Sequence, residues 1–156
     1  MKKISTLVLS SILLMSTIAC SENAKTSMNA PDSTEKTGAI STKKTVQDNQ
    51  NDATSKVRQD QLDSDIRARE QRNNLTGGDA DRANSDLSSE VRSKLEANIP
   101  NGSLTVSAKD GAVVVSGTVQ TQNQLDKIEF LAKQIKGVKS VNIAAKVAIA
   151  VPDKKQ

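Results

Sequence analysis

The chain has 156 residues, a formal net charge of +4 and a pI near 9.2. Only 35% of its residues are hydrophobic, and Phe130 is the one aromatic residue. A core spread over the whole chain would bury too little apolar surface to offset the entropy of ordering it, so we expect one small domain and a long disordered part. The charges are dispersed, with no aromatic platform or arginine cluster, which argues against nucleic acid as a partner.

Residues 1–19 have the features of a secretory signal peptide. Two lysines near the start precede an apolar stretch that is too short and too rich in serine for a comfortable membrane span. The sequence Ile18-Ala19-Cys20 resembles a bacterial lipobox, whose cysteine is acylated; the alternative is an ordinary cleaved signal that leaves a free thiol. The resemblance implies attachment of Cys20 to a phospholipid membrane on the periplasmic side of the envelope, at the outer membrane where the cell has two.

The segment 20–83 is rich in Asn, Ser, Thr, Asp, Gln and Lys and poor in apolar residues. This composition predicts a flexible tether, and the lipobox resemblance implies that the tether is lipid-anchored at Cys20. Within it, residues 56–72 are good helix formers, but their apolar stripe is thin and contains only Val57, Leu62 and Ile66. An isolated helix of this length is marginal in water, so we expect it to be transient or to order against another element.

Apolar periodicity becomes regular over residues 84–151. A helical stripe repeats every four residues and ends before Pro100; it consists of Leu87, Val91, Leu95 and Ile99. A half-buried strand follows, with Leu104, Val106 and Ala108 on one face. The pair Asp110-Gly111 then favours a two-residue type I′ hairpin turn, because both positions need positive φ.

The second half of this region predicts a strand, a helix and a last strand. Gly117 falls on the apolar face of the first of these strands, where the missing side chain would let a helix pack close. Thr121 and Gln124 form a capping box for the helix, and Gly137 is its left-handed stop. The buried side of the helix is predicted to contain Leu125, Ile128, Leu131, Ala132 and Ile135. One face of the last strand is predicted to contain Val141, Ile143, Ala145, Val147, Ile149 and Val151.

These elements predict an α+β domain of order α-β-β-α-β. Both helices have one apolar stripe and the sheet has one apolar face, so two helices should pack on one face of a three-stranded mixed sheet. The second and third strands should be parallel, joined by a right-handed crossover. Residues 152–156 are expected to form a disordered tail.

Residues 85–150 resemble the BON domain, a small module of osmotically inducible periplasmic proteins and envelope lipoproteins. The resemblance rests on the leading helix DLSSEVRSKLEANI, on DG followed by VVVSGTV, and on KGVKSV before the final strand. It implies binding to phospholipid membranes or other envelope components, a role under osmotic or other stress, and no catalysis.

The chain offers few groups for catalysis or metal binding. It has no histidine, and its single cysteine is expected to be acylated, which excludes Ser-His and Cys-His catalysis and the usual zinc sites. Carboxylates could in principle form a hydrolytic pair or bind a hard cation, but their helical spacing predicts solvent-facing positions; they are Asp86, Glu90, Asp126 and Glu129. We therefore predict no enzyme activity, no metal and no cofactor.

Phe130 is the candidate contact residue. On a helical wheel it points away from the apolar stripe, and Lys127 and Lys133 lie three residues to either side of it. A phenylalanine between lysines suits a peripheral membrane contact. The alternatives are a singly exposed apolar residue or a contact with the 56–72 segment. An adaptor function is the other hypothesis, in which the free sheet face or an edge strand binds an envelope protein or a cell-wall partner.

Overall fold

The computed structural model describes residues 23–76 and 82–153. The predicted signal peptide, the acylation site Cys20, the Gly77-Gly78 pair and the last three residues lie outside these ranges. Every statement below concerns the described residues.

The described chain forms four helices and one four-stranded sheet. In chain order the elements are β1 (Ala24–Lys25), α1 (Lys43–Ala53), α2 (Lys56–Thr76), α3 (Asn84–Asn98), β2 (Ser103–Lys109), β3 (Ala112–Val119), α4 (Gln122–Lys133) and β4 (Ser140–Val147). The strand order is β1-β2-β3-β4, with β3 and β4 parallel and the other neighbours antiparallel. The predicted α+β class and the parallel β3–β4 pair are confirmed, whereas the count of three strands and two helices was too small.

The core lies between one face of the sheet and the two helices α3 and α4. The predicted stripe of α3 is buried over its full length, and the alternating apolar residues of β2 and β3 meet it. The buried apolar residues are Leu87, Val91, Leu95, Ile99, Leu104, Val106, Ala108, Val113, Val115, Val119, Ile128, Leu131, Ala132, Ile135 and Ala145. Period-four and period-two patterns therefore identified the core faces of α3, β2 and β3 correctly, whereas Leu125 of α4 and most of the predicted face of β4 are only partly buried or exposed.

Two local signals have the predicted geometry. Asp110 and Gly111 have φ values of 53° and 87°, as a type I′ turn requires. The Thr121 hydroxyl accepts a hydrogen bond from the Gln124 backbone N–H, and the Gln124 side chain accepts one from the Thr121 N–H. The hairpin turn and the start of α4 are thus local properties of the sequence.

Two boundaries differ from the prediction. Helix α4 ends at Lys133, and Gly137, with φ of 88°, lies in the turn that follows it and not at the helix end itself. Residues 134 and 135 make hydrogen bonds to carbonyls three residues back, which tightens the chain before the glycine. Strand β4 ends at Val147, so Ile149 and Val151 belong to an exposed extension beyond the sheet.

The N-terminal polar segment is more ordered than the predicted tether. Strand β1 extends the sheet beside β2, and residues 26–42, here called the strap, cross the polar face of the sheet. Thr34 Oγ1 and Ser107 Oγ are 3.2 Å apart, the Thr105 hydroxyl donates to the Pro31 carbonyl, and Gly38 packs against Gly117. The sheet face expected to be free is therefore covered.

The structure also corrects the role of Gly117. Its φ is 116°, and a Cβ at this position would overlap the backbone carbonyl oxygen of Ser103 on the neighbouring strand. The glycine is required by the backbone of β2 and by its own conformation, not by a helix that packs against it.

We predict that Gly117→Ala lowers the free energy of unfolding by at least about 2 kcal/mol, because it adds both backbone strain and an overlap with β2. Gly38→Ala is the matched control, since its nearest neighbours would be 3.3 to 3.7 Å from the new Cβ and its φ is not in the left-handed region. Urea denaturation of both variants measures the difference. Equal stability of the two variants would contradict the assignment.

Candidate membrane-contact surface

Helix α4 places Phe130 on the outside of the domain. Ile128, Leu131 and Ala132 are buried against the sheet and α3, so the residue between them on the opposite side faces solvent. Phe130 is 67% exposed. The outward position predicted from the helical wheel is confirmed.

The flanking lysines are exposed, but their charge is partly compensated. Lys127 and Lys133 both lie on the solvent side of α4. The Lys133 Nζ atom is 2.6 Å from Glu129 Oε1, an ion pair one helical turn apart. Since exposed pairs of this kind are weak, an anionic phosphate could compete for Lys133, but the net attraction of this surface for anions is small.

Helix α2 covers α3 and leaves Phe130 uncovered. Leu62 is only 1% exposed, whereas Val57 is 69% exposed. The apolar stripe of α2 therefore contributes little apolar contact to the packing of this helix. The alternative in which the 56–72 segment covers Phe130 is wrong for the described chain, because α2 packs against α3.

Charge pairs hold α2 on α3. Arg58 donates from Nε and Nη2 to the two carboxylate oxygens of Glu96 at 2.5 and 2.9 Å, and Arg92 donates to Glu96 at 3.1 Å. Arg69 and Arg72 both donate to Asp86 Oδ1, at 2.6 and 2.8 Å. The hydrogen bond from Arg72 is the main cause that lowers the pKa of Asp86.

A second pair joins the start of the domain to its interior. The Arg82 guanidinium donates to Glu90 Oε1 and to the Lys136 carbonyl, and Arg82 and Glu90 are both almost completely buried. Burial raises the pKa of Glu90 to about 7, against the opposing effect of the Arg82 charge. The negative charges of Glu70 and Asp86 raise the pKa of Glu90 further.

The prediction of solvent-facing carboxylates is wrong for two of the four residues. Glu90 is buried and Asp86 is mostly covered by arginines of α2, whereas Asp126 and Glu129 are exposed as expected. Glu96, which is also buried, was not singled out at all. The sequence did contain one indication of this pairing, the opposite charges of the two helices. Helix α2 contains four arginines, and α3 contains these acidic residues beside its apolar stripe.

The carboxylates form no cation cage. Among residues 23–76 and 82–153, no group of three or more metal-ligating side chains is close enough to bind a metal ion. The same ranges contain no helix with the length and hydropathy needed to cross a bilayer.

The region from α3 to β4 has known relatives. Residues 83–148 match the family model of the BON domain. This part of the chain is a BON domain. The resemblance seen in the sequence is confirmed, and the match leaves β1, the strap, α1 and α2 outside.

A curated protein is similar to part of the chain. The chain is 46% identical over 55 residues to the osmotically-inducible protein Y of Escherichia coli (strain K12). The similar stretch covers 34% of this chain and 27% of that protein, so the match spans about a quarter of the relative's length. No solved structure matches the chain.

We predict that Glu96→Gln loosens α2, because Arg58 and Arg92 lose the carboxylate that pairs with both of them. The expected loss is about 1–3 kcal/mol in the free energy of opening α2, measured by amide hydrogen exchange of residues 56–72. Glu129→Gln is the control: it also breaks an ion pair, but an exposed one, and should change exchange of α2 by less than about 0.5 kcal/mol. Unchanged exchange in both variants would show that the ion pairs do not hold the helix.

We predict that the Glu90 carboxyl group titrates near pH 7 in carboxyl-selective NMR. Because this pKa is above the ordinary 4.5, the folded chain binds more protons than the unfolded chain between these values. The contribution of Glu90 to stability is therefore greatest below about pH 4.5 and falls as the pH rises through 7. Arg82→Met should raise the pKa of Glu90 further; a lower value would contradict the assigned role of the guanidinium.

Proposed function

We propose that the protein is a lipid-anchored binding module of the cell envelope, which contacts phospholipid surfaces through α4 and supports envelope integrity under osmotic or other stress. In this proposal Cys20 is acylated after removal of residues 1–19, and the chain lies on the periplasmic side, at the outer membrane where the cell has two. The lipobox-like sequence supports the anchor, and the BON domain with its osmotically inducible relative supports the setting.

The observation that carries the membrane contact is the exposure of Phe130. The one aromatic ring of the chain lies in solvent on α4, whereas the apolar core beneath it consists of aliphatic side chains. Full burial of a phenylalanine in an apolar phase stabilises by about 1.5–3 kcal/mol, so insertion into the headgroup region would offset its exposure in water. The lysines beside it would lie at the level of the phosphates.

The structure reduces the support for the adaptor hypothesis in one respect. The strap covers the sheet face that the adaptor would have used, and β1 lies along the outer edge of β2. Binding of a protein or cell-wall partner would have to use the remaining edge, at β4, or displace the strap.

Phe130→Ser should weaken binding to phospholipid vesicles by roughly tenfold, because the ring supplies most of the apolar contact. The experiment uses residues 21–156, which lack Cys20, with vesicles of phosphatidylethanolamine and phosphatidylglycerol in a sedimentation assay. Leu75→Ser is the matched control, since Leu75 is a similarly exposed apolar residue, on α2.

Binding should change little with moderate salt, because Glu129 compensates Lys133. Absence of sedimentation at low salt, or equal losses in the Phe130 and Leu75 variants, would refute the contact through α4.

A further inference from the structure

The two edges of the sheet differ in whether another segment of the chain pairs with them. Along the outer edge of β2, the backbone of β1 pairs with Thr105 and Val106. Strand β4 is the last strand on the other side, and within the described residues nothing pairs with its outer edge from Ser140 to Ala148. An open edge of this length is a template for another extended chain.

The backbone direction of β4 can be assigned residue by residue. The Ala148 N–H donates to the Val119 carbonyl of β3 at 2.8 Å, so even-numbered residues direct their backbone groups toward β3. The odd-numbered residues therefore direct their N–H and C=O groups outward. These are Val141, Ile143, Ala145 and Val147.

The same edge already binds extended chain just beyond the strand. The Val151 N–H donates to the Ser41 carbonyl at 3.1 Å, and the Val151 carbonyl accepts from the Lys43 N–H at 2.9 Å. Val151 is odd-numbered, so the backbone N–H and C=O groups that bind Ser41 and Lys43 are the ones that point outward from the sheet. The end of the strap thus limits the open stretch to residues 140–148, whose midpoint is Ala144.

We propose that this open stretch binds the same stretch of a second copy of the chain, antiparallel, with the two-fold axis at Ala144. This register pairs Val141 with Val147 and Ile143 with Ala145 of the other copy, so outward backbone groups meet in four hydrogen-bonded pairs. It joins two four-stranded sheets into one eight-stranded sheet.

The side chains of β4 are compatible with pairing of this strand with the β4 strand of a second copy. Val141 and Ile143 are only partly buried and Val147 is 38% exposed, so pairing would cover apolar surface at the margin of the core. Lys146 is the only charged residue of the strand, and in this register it lies opposite Asn142 and not opposite itself. The edge has no inward charge, proline or bulge that would prevent pairing.

An interface made of one strand pair is small, so the dimer should be weak and depend on concentration. Sedimentation velocity of residues 21–156, without lipid, should show a shift from monomer to dimer between roughly 10 µM and 1 mM. The proposal is independent of the membrane contact, because neither Phe130 nor Cys20 takes part.

Cysteine substitutions test the register. Residues 21–156 contain no cysteine, and Ala144→Cys would place two sulfur-bearing residues opposite each other at a Cα separation of about 4.5 Å, within disulfide range. Under mild oxidation it should form dimers at least about tenfold faster than Asn142→Cys or Lys146→Cys alone, whose copies would be about 14 Å apart along the strand. A mixture of the last two variants should cross-link rapidly.

Val147→Pro is the variant that removes the contact without affecting β3. Proline at this position deletes an outward N–H and leaves the ladder with β3 intact, so the monomer should keep its circular dichroism and lose dimerisation. A chain that stays monomeric to 1 mM, or three single cysteine variants that oxidise at equal slow rates, would overturn the proposal. Rapid cross-linking by Asn142→Cys alone would overturn the register.

Discussion

Strand β3 is paired on both sides, and its two faces have different chemistry. Val113, Val115 and Val119 face the core that α3 and α4 cover, and the short polar side chains of Ser116 and Thr118 lie under the strap, where they are buried. Gly117 lies between these two and has no Cβ because β2 comes too close there. The strand order, the apolar core and the strap thus all involve this one strand.

The polar face explains how so hydrophilic a segment can be ordered. A strap rich in Ser and Thr cannot bury enough apolar surface to fold alone, but it can make hydrogen bonds over a sheet that is already formed. The strap does not provide a hydrogen bond for every polar group that it covers. The hydroxyls of Ser116 and Thr118 are buried without a hydrogen-bond partner in the described chain. Because the strap contributes no side chain to the apolar core, we expect it to open more readily than the helices on the apolar face.

Helix α2 is bound by a third kind of contact. It contributes Leu62 to the interior and otherwise pairs its arginines with Asp86 and Glu96 of α3. Ion pairs depend on salt and pH more strongly than apolar packing does, so the attachment of α2 to α3 should respond to these conditions more than the core does. Helix α4 and strand β4 keep an exposed ring and an open edge, the two surfaces on which the proposed contacts depend.

The sequence by itself determined what is local or periodic: the stripe of α3, the alternation in β2 and β3, the turn at Asp110-Gly111, the cap at Thr121 and the outward direction of Phe130. Each depends on residues within one helical turn or one strand. Only the tertiary structure decided that the strap covers the sheet, that Glu90 is buried, that Gly117 avoids β2 and that β4 keeps an open edge. These depend on pairings between distant, mostly polar segments, and such pairings leave no periodic pattern in the sequence.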